Sequence, residues 1–229
     1  MTQPSTNGGT PASSGRTPAQ GNRLDPWYDV YADRAHNLRA SEIRALFSVV
    51  SRPEVVSLAG GMPNLKDLPL DKLAASAEKL IRNHGAQAMQ YGSGQGWEVL
   101  RERITEVMGY DGIVGADPDD VVVTTGSQQA LDLVTELFVN PGDVILAEAP
   151  SYVGALGVFR ARQADIVHVP MDEHGIIPEA LEETIRSVRA SGRTIKFIYI
   201  IPNYHNPAGV TLSAERRPII AEICLREHV

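Results

Sequence analysis

With 229 residues, 43% of them hydrophobic and 21% charged, the chain is ordinary globular material, long enough for one large domain with a buried core. Its formal net charge of -7, without basic clusters, argues against nucleic acid or an anionic membrane as partner. Cys224 is the only cysteine, which excludes a disulfide framework and a cysteine metal cluster and suits a reducing cytoplasm; no apolar run nears the roughly 20 residues of a bilayer span.

Residues 1 to about 23 are Thr, Ser, Gly, Pro, Gln and Asn with little to bury, so a disordered tail is expected. A transit peptide is the alternative, since Arg16 and Arg23 face no acid, but Pro and Gly oppose an amphipathic helix. A capped helix is expected from Ser41, with Ile43, Leu46, Phe47 and Val50 on one face, ending at Ser51-Arg52-Pro53. Val55 to Ala59 reads as a short strand closed by Gly60-Gly61-Met62-Pro63, where paired glycines serve either a turn or the close approach of a ligand. A second helix is expected from Pro69 to about His84, with Leu70, Leu73, Ala77, Leu80 and Ile81 inward and Gly85 as its stop. Gln90-Tyr91-Gly92-Ser93-Gly94-Gln95-Gly96-Trp97 has the wrong spacing for a dinucleotide loop and follows a helix, so that reading is rejected. It leads into a helix to about Met108 with Val99, Leu100, Ile104 and Val107 as its apolar stripe.

Val121-Val122-Val123-Thr124-Thr125-Gly126-Ser127-Gln128-Gln129-Ala130-Leu131 reads as a buried strand, a glycine turn and a helix start, with Ser127 at the N-cap. Ala130, Leu131, Val134, Leu137 and Phe138 then follow at helical spacing. Free first-turn N–H groups, the positive end of the helix dipole and a serine hydroxyl suit a phosphate dianion, although Gly-Ser also serves as a plain cap. Beyond it the pattern alternates: helix 127–139, strand 144–148, helix from Pro150 to about Arg162, strand 166–169, helix 178–190, strand 195–201, and helix from Ser213 to about Glu227. Such alternation implies βαβ units and an α/β fold with a mostly parallel central sheet and helices on both faces.

Three further marks stand in order: Ala149-Pro150-Ser151-Tyr152 and Pro202-Asn203-Tyr204-His205-Asn206-Pro207-Ala208-Gly209 after the Thr125–Leu131 turn, and Ser57-Leu58-Ala59-Gly60-Gly61-Met62-Pro63-Asn64 with Tyr91, Gly96, Leu100 and Arg101 before it. Together they resemble the fold-type-I aminotransferases of class I/II, in the branch holding 2-aminoadipate and kynurenine aminotransferases, over roughly Leu38 to Val229. The resemblance implies pyridoxal 5′-phosphate as cofactor. Ser127, with the N–H groups of Ser127 and Gln128, would hold its phosphate. Tyr152 would stack on its ring, or be a core tyrosine; Asn206 would bond the ring hydroxyl oxygen, or be an Asn-Pro turn, with Pro207 after a cis peptide as in relatives. Tyr91 would reach the phosphate of a partner subunit in a homodimer, or be a surface residue, while Arg44, Gly60 and Gly61 would meet the substrate carboxylate. The histidines, His205 included, show no metal spacing and are read as structural. The implied organisation is a tail and arm over 1–37, a small-domain segment over 38–60 and a partial large domain over 61–229.

The family's Schiff-base lysine lies well beyond the Asn-Pro motif, whereas the lysines here are Lys66, Lys72, Lys79 and Lys196. The aspartate for the pyridinium nitrogen and the carboxylate-gripping arginine are also missing from their expected places. The expectation is therefore an N-terminal portion of an amino acid:2-oxo acid aminotransferase for aminoadipate-like, aromatic or branched-chain substrates, inactive by itself. A lyase or decarboxylase on the same scaffold, a regulator's effector domain and a non-catalytic remnant are the alternatives. A chain that stops after a helix, where a strand should follow, leaves a sheet edge and apolar surface open, so the isolated 229 residues should be poorly soluble. A monodisperse sample with a cooperative melt would contradict that expectation.

Overall fold

The computed structural model describes residues 25–36, 54–56 and 65–229. The expected tail up to Arg23, the helix from Ser41 with Arg44, and Gly60-Gly61 lie outside the described residues, as does most of the strand expected at Val55–Ala59. The chain divides into two compact units, residues 1–38 and 39–229. In the first, a 3-10 turn at Tyr28–Val30 precedes the four-residue helix α1 (Asp33–His36), and the rings of Tyr28 and His36 lie 4.7 Å apart.

The second unit holds a four-stranded sheet among the described residues. Its strands are β1 (Val144–Ala149), β2 (Asp165–Asp172), β3 (Gly175–Ile176) and β4 (Ile195–Tyr199), in the spatial order β3-β2-β1-β4. β1 pairs in parallel with β2 and β4, and only the short β2–β3 hairpin is antiparallel. The mostly parallel α/β fold is thus as the alternation implied. β2 runs longer than the expected 166–169 and β3 was not anticipated, because Glu173-His174-Gly175 turns the chain back for one more pair of residues.

β1 is the central strand, and its side chains alternate between two cores. Val144 and Leu146 join Val169, Ile176 and the inner faces of α6 (Pro178–Ala190) and α7 (Arg216–Glu227), through Leu181, Ile185, Val188, Ile220 and Ile223. Ile145 and Ala147 face the other way, onto Ala155, Leu156, Val158 and Phe159 of α5 (Val153–Ala161), with Leu131 of α4 (Ser127–Phe138) beside them. Phe159 meets Phe197 and Tyr199 edge-on at 5.9 and 5.5 Å, contacts worth about 0.5–1.5 kcal/mol each beyond their burial. Helices therefore cover both faces, as expected.

Four expectations need correction. Val121–Thr125 is not a strand: the Val123 N–H goes to the Gln95 carbonyl at 2.8 Å, Val122 is exposed, and among the described residues no ladder runs beside it. A valine run supplies β propensity, but a strand also needs a neighbour to pair with. Gly85 does not stop its helix, since α2 (Leu70–Ala88) bends at His84 (φ -136°, ψ 21°) and continues for another turn. The expected inward stripe of α2 is exposed at Leu70, Leu73, Leu80 and Ile81. In α3 (Glu98–Tyr110) Val99, Leu100 and Val107 are exposed and the buried residue is Arg101, whose guanidinium donates to Pro118 O at 2.7 Å and Asp119 Oδ1 at 2.9 Å.

A bidentate ion pair ties α7 to the β2–β3 hairpin. Arg216 Nη1 and Nη2 donate to Asp172 Oδ1 and Oδ2 at 2.6 and 2.8 Å, and Nη1 also reaches Gly175 O at 3.0 Å. The Arg216 hydrogen bonds, aided by the His174 N–H, pull the Asp172 carboxyl down to about 2. A carboxyl lowered on folding stabilises the fold above its unfolded value of about 3.9 and loses that contribution as pH falls toward 2. Arg216→Leu should therefore lower the melting temperature at pH 6, and the gap to the parent protein should shrink between about pH 4 and pH 2. A gap that stays constant through this window in thermal scans would show that the pair adds no pH-linked stability.

Candidate functional site

In open α/β sheets, ligand sites form beyond the carboxyl ends of the parallel strands. Here two loops leave those ends, one after β1 through Ala149-Pro150-Ser151-Tyr152 and one after β4 through Pro202 to Gly209. The amino end of α4 meets the first turn of α5, just past the first of them, because Gln128 Nε2 donates to the Gly154 carbonyl at 3.3 Å.

α4 starts at Ser127 as expected, but its cap lies one residue earlier. Gly126 is the N-cap, with φ 78° and ψ 168°, and Ser127 is the first helical residue without a capping bond. That backbone conformation is open to glycine alone, and it turns the chain so that the helix starts with its N–H groups outward. Gln129 and Ala130 donate back to the Gly126 carbonyl, and Thr125 N–H is taken by Gln129 Oε1 at 2.5 Å. The N–H groups of Ser127 and Gln128 have no carbonyl acceptor among the described residues, as the geometry of a helix start requires. Two adjacent donors, the Ser127 hydroxyl and the positive end of a twelve-residue helix make a seat that fits a phosphate dianion.

Tyr152 is the N-cap of α5 and is half-buried against the core that contains Ile145, Ala147 and Phe159. Its ring lies over Gly154, where a β-carbon would stand 2.4 Å from Tyr152 Cζ and 2.5 Å from its hydroxyl. A side chain at 154 would thus push the ring off its position. Ser151, between the cis Ala149–Pro150 bond and Tyr152, is buried with its hydroxyl unpartnered among the described residues. Asn206 is exposed on the second loop, and the Asn206–Pro207 peptide is cis, as the resemblance implied.

Beneath both loops lies a buried pair that the sequence reading passed over. Glu148, the penultimate residue of β1, accepts the Ile201 N–H on Oε2 at 2.8 Å, and His205 Nε2 stands 3.1 Å from the same oxygen, off the line of a straight hydrogen bond. Burial pushes the Glu148 carboxyl up, opposed by the Ile201 N–H and the His205 ring. A carboxylate inside the apolar run Val144-Ile145-Leu146-Ala147 was the available signal, because a charge in a doubly covered strand has to be paired. His205, expected from the sequence to be structural, has a buried acid as its neighbour.

Among the described residues, Tyr91 and Lys196 lie away from these loops. Tyr91 is fully exposed on the loop before α3 and lines an open cleft of about 610 Å³ with Leu80, His84, Trp97 and Arg101, none of which belongs to the two strand-end loops. Lys196 pairs with Asp143 at 3.3 Å at the opposite, amino end of the strands. Arg44, Gly60 and Gly61 are outside the described residues.

Gly126→Ala tests the helix start directly. Forcing a β-carbon into its conformation should cost about 1–3 kcal/mol in urea denaturation. An unchanged midpoint would mean that the turn relaxes and the donors of Ser127 and Gln128 are not held as described.

The family profile of aminotransferase class I and II matches residues 53–229. Aromatic-amino-acid aminotransferase 1 of Thermococcus litoralis is 37% identical over 193 residues, 84% of this chain and 46% of the relative. The 2-aminoadipate transaminase of Thermus thermophilus is 37% identical over 183 residues, 80% of this chain and 43% of the relative. In three dimensions the chain is similar to a Pyrococcus horikoshii kynurenine aminotransferase solved with PMP and kynurenine, with a TM-score of 0.82 and 34% identity over 90% of this chain and 51% of that one. The chain spans about half the length of the curated relatives it matches. With the profile covering most of its length and the phosphate-suited helix start among the matched residues, the chain belongs to the class I and II aminotransferases.

Proposed function

We propose that the protein carrying this chain is a pyridoxal-phosphate-dependent amino acid:2-oxo acid aminotransferase. The proposed amino donors are aminoadipate-like, aromatic or branched-chain amino acids, with 2-oxoglutarate as acceptor. The observation that carries this reading is the amino end of α4, whose paired donors face no acceptor among the described residues and whose Gln128 side chain reaches the first turn of α5, next to Tyr152. Family membership and relatives named for aromatic, 2-aminoadipate and kynurenine substrates support the donor class.

Pyridoxal phosphate, when bound, supplies the electron sink for exchange of an amino group between two carbon skeletons. The chain's own residues bind and orient it. The N–H groups of Ser127 and Gln128 and the Ser127 hydroxyl hold the phosphate, and the helix dipole favours its dianionic form. Tyr152, its ring fixed by the space that Gly154 leaves open, covers one face of the pyridine and excludes water from it. Asn206 donates to the ring hydroxyl oxygen. Tyr91 extends toward the phosphate of a second subunit in a homodimer, a role in keeping with its full exposure here. Arg44 with the backbone of Gly60 and Gly61 receives the substrate carboxylate. Lys196, held by Asp143 at the amino end of the strands, is not among the residues that would hold the group.

The test is amino-group exchange between 2-oxoglutarate and a panel of aminoadipate, kynurenine, phenylalanine and leucine, using the natural gene product that contains this chain. Exchange with at least one donor, accompanied by the cofactor's visible absorption, is the expected result; no exchange and no bound cofactor would overturn the reading. Ser127→Ala should weaken cofactor affinity about tenfold, the worth of one charge-assisted hydrogen bond. Gly154→Ala should leave the melting temperature within a few degrees while weakening the cofactor by displacing the Tyr152 ring. Equal affinity in the Gly154→Ala protein would show that Tyr152 does not contact the cofactor.

A further inference from the structure

Glu148 and His205 are almost completely buried, with side chains 2% and 1% exposed. A buried acid–imidazole pair is a costly way to fill space, since apolar side chains of the same volume often serve a fold as well or better. What distinguishes this pair is where it reaches. The Glu148 backbone leads within two residues into Pro150-Ser151-Tyr152, and its carbonyl oxygen meets His168 Nδ1 of β2 at 3.1 Å. Its carboxylate crosses to the other loop, gripping the Ile201 N–H and facing the His205 ring.

His205 organises that second loop from within. Its Nδ1 accepts the Ala208 N–H at 3.2 Å, which leaves the ring proton on Nε2, facing the Glu148 carboxylate. Its backbone N–H donates to Val210 O at 2.7 Å and its carbonyl accepts the Gly209 N–H at 2.5 Å. Asn206 and the cis Asn206–Pro207 bond therefore sit on a short turn wound around His205, and the ring is the part of that turn that reaches down to β1. The strand that leads into Tyr152 and the loop that carries Asn206 are joined through one carboxylate.

We propose that Glu148 and His205 are positioning residues that hold the Asn206 loop in register with Tyr152, so that the Asn206 amide meets the ring hydroxyl oxygen of the cofactor. The proposal rests on the pyridoxal-phosphate reading above. Neither residue touches the cofactor. Both act through Asn206.

The discriminating experiment measures binding of pyridoxamine 5′-phosphate and of its analogue lacking the 3-hydroxyl, by titration calorimetry on the natural gene product freed of cofactor. Pyridoxamine phosphate needs no lysine to bind, and the analogue lacks the oxygen that Asn206 addresses. Glu148→Gln keeps the shape and an acceptor for the Ile201 N–H while removing the charge, and His205→Leu removes the ring donor. Each should weaken pyridoxamine phosphate about tenfold, as expected for the loss of one well-placed hydrogen bond, and leave the analogue within about twofold. In an Asn206→Ala background the same changes should have no further effect, a non-additivity that marks action through Asn206. His205→Gln, with a donor for Glu148 and an acceptor for Ala208, should recover most of the affinity that His205→Leu loses.

Equal losses for both ligands, or losses that add to that of Asn206→Ala, would overturn the proposal and make the pair a support of the fold alone. Should Glu148→Gln fail to fold, the contrast between His205→Gln and His205→Leu decides the matter by the same two-ligand comparison. A parent protein that binds neither ligand overturns the cofactor reading itself, and the positioning role with it, which separates that failure from intact binding that the variants leave unchanged.

Discussion

The structure depends on β1 being covered on both faces and paired on both edges. A central parallel strand has no solvent-facing side, so each of its residues must satisfy one of two cores, and Val144, Ile145, Leu146 and Ala147 do so in strict alternation. Its ladders to β2 and β4 fix the register of the three strands, and the carboxyl ends of β1 and β4 are where the loops bearing Tyr152 and Asn206 begin. Once the fifth position, Glu148, is reached, the same enclosure forces a carboxylate to find partners inside the protein. It finds them in the loop after β4, and the sheet's packing requirement becomes a geometric tie between two arms of the site.

Arginines do much of the joining outside the apolar cores. Arg216 fastens α7 to the hairpin of β2 and β3, and Arg162, at the end of α5, donates to Asp132 with two nitrogens at 2.9 Å and to Glu136, binding α5 to α4. The second link bears on the candidate site, because the amino end of α4 is the proposed phosphate seat and Tyr152 caps α5. Arg226 with Glu182 and Arg189 with Glu227 lie on the outer side of α6 and α7, where solvent screening leaves such pairs little energetic weight. The planar guanidinium fork suits the inner pairs, since it can engage a carboxylate and a carbonyl at once.

α2, α3 and the outer side of α4 contrast with this well-enclosed half. Leu73, Ile81, Val107, Leu137 and Phe138 recur at helical spacing, as a core-facing stripe would, yet they remain exposed in the structure. Periodicity reports which side of a helix is apolar, but it does not report what covers that side. The one buried residue of α3, Arg101, is hydrogen-bonded to the turn at Pro118 and Asp119, and a pattern of apolar residues could not mark a buried arginine.

The sequence by itself determined the class of fold and the order of its parts. Alternating segments from Ser127 onward imply parallel strands with helices between them, and the Gly126-Ser127-Gln128 turn implies a helix start suited to an anion, because both depend on local geometry that a few residues dictate. Tertiary structure alone decided that Val121–Thr125 finds no ladder among the described residues, that α2 bends at His84 and passes Gly85, and that Gly126, not Ser127, caps α4. It also decided that Glu148 and His205, 57 positions apart in the sequence numbering, share one buried contact. Those outcomes depend on which groups the fold brings within hydrogen-bonding distance, and in a parallel sheet that is set by strand order and register, to which no short stretch of chain has access.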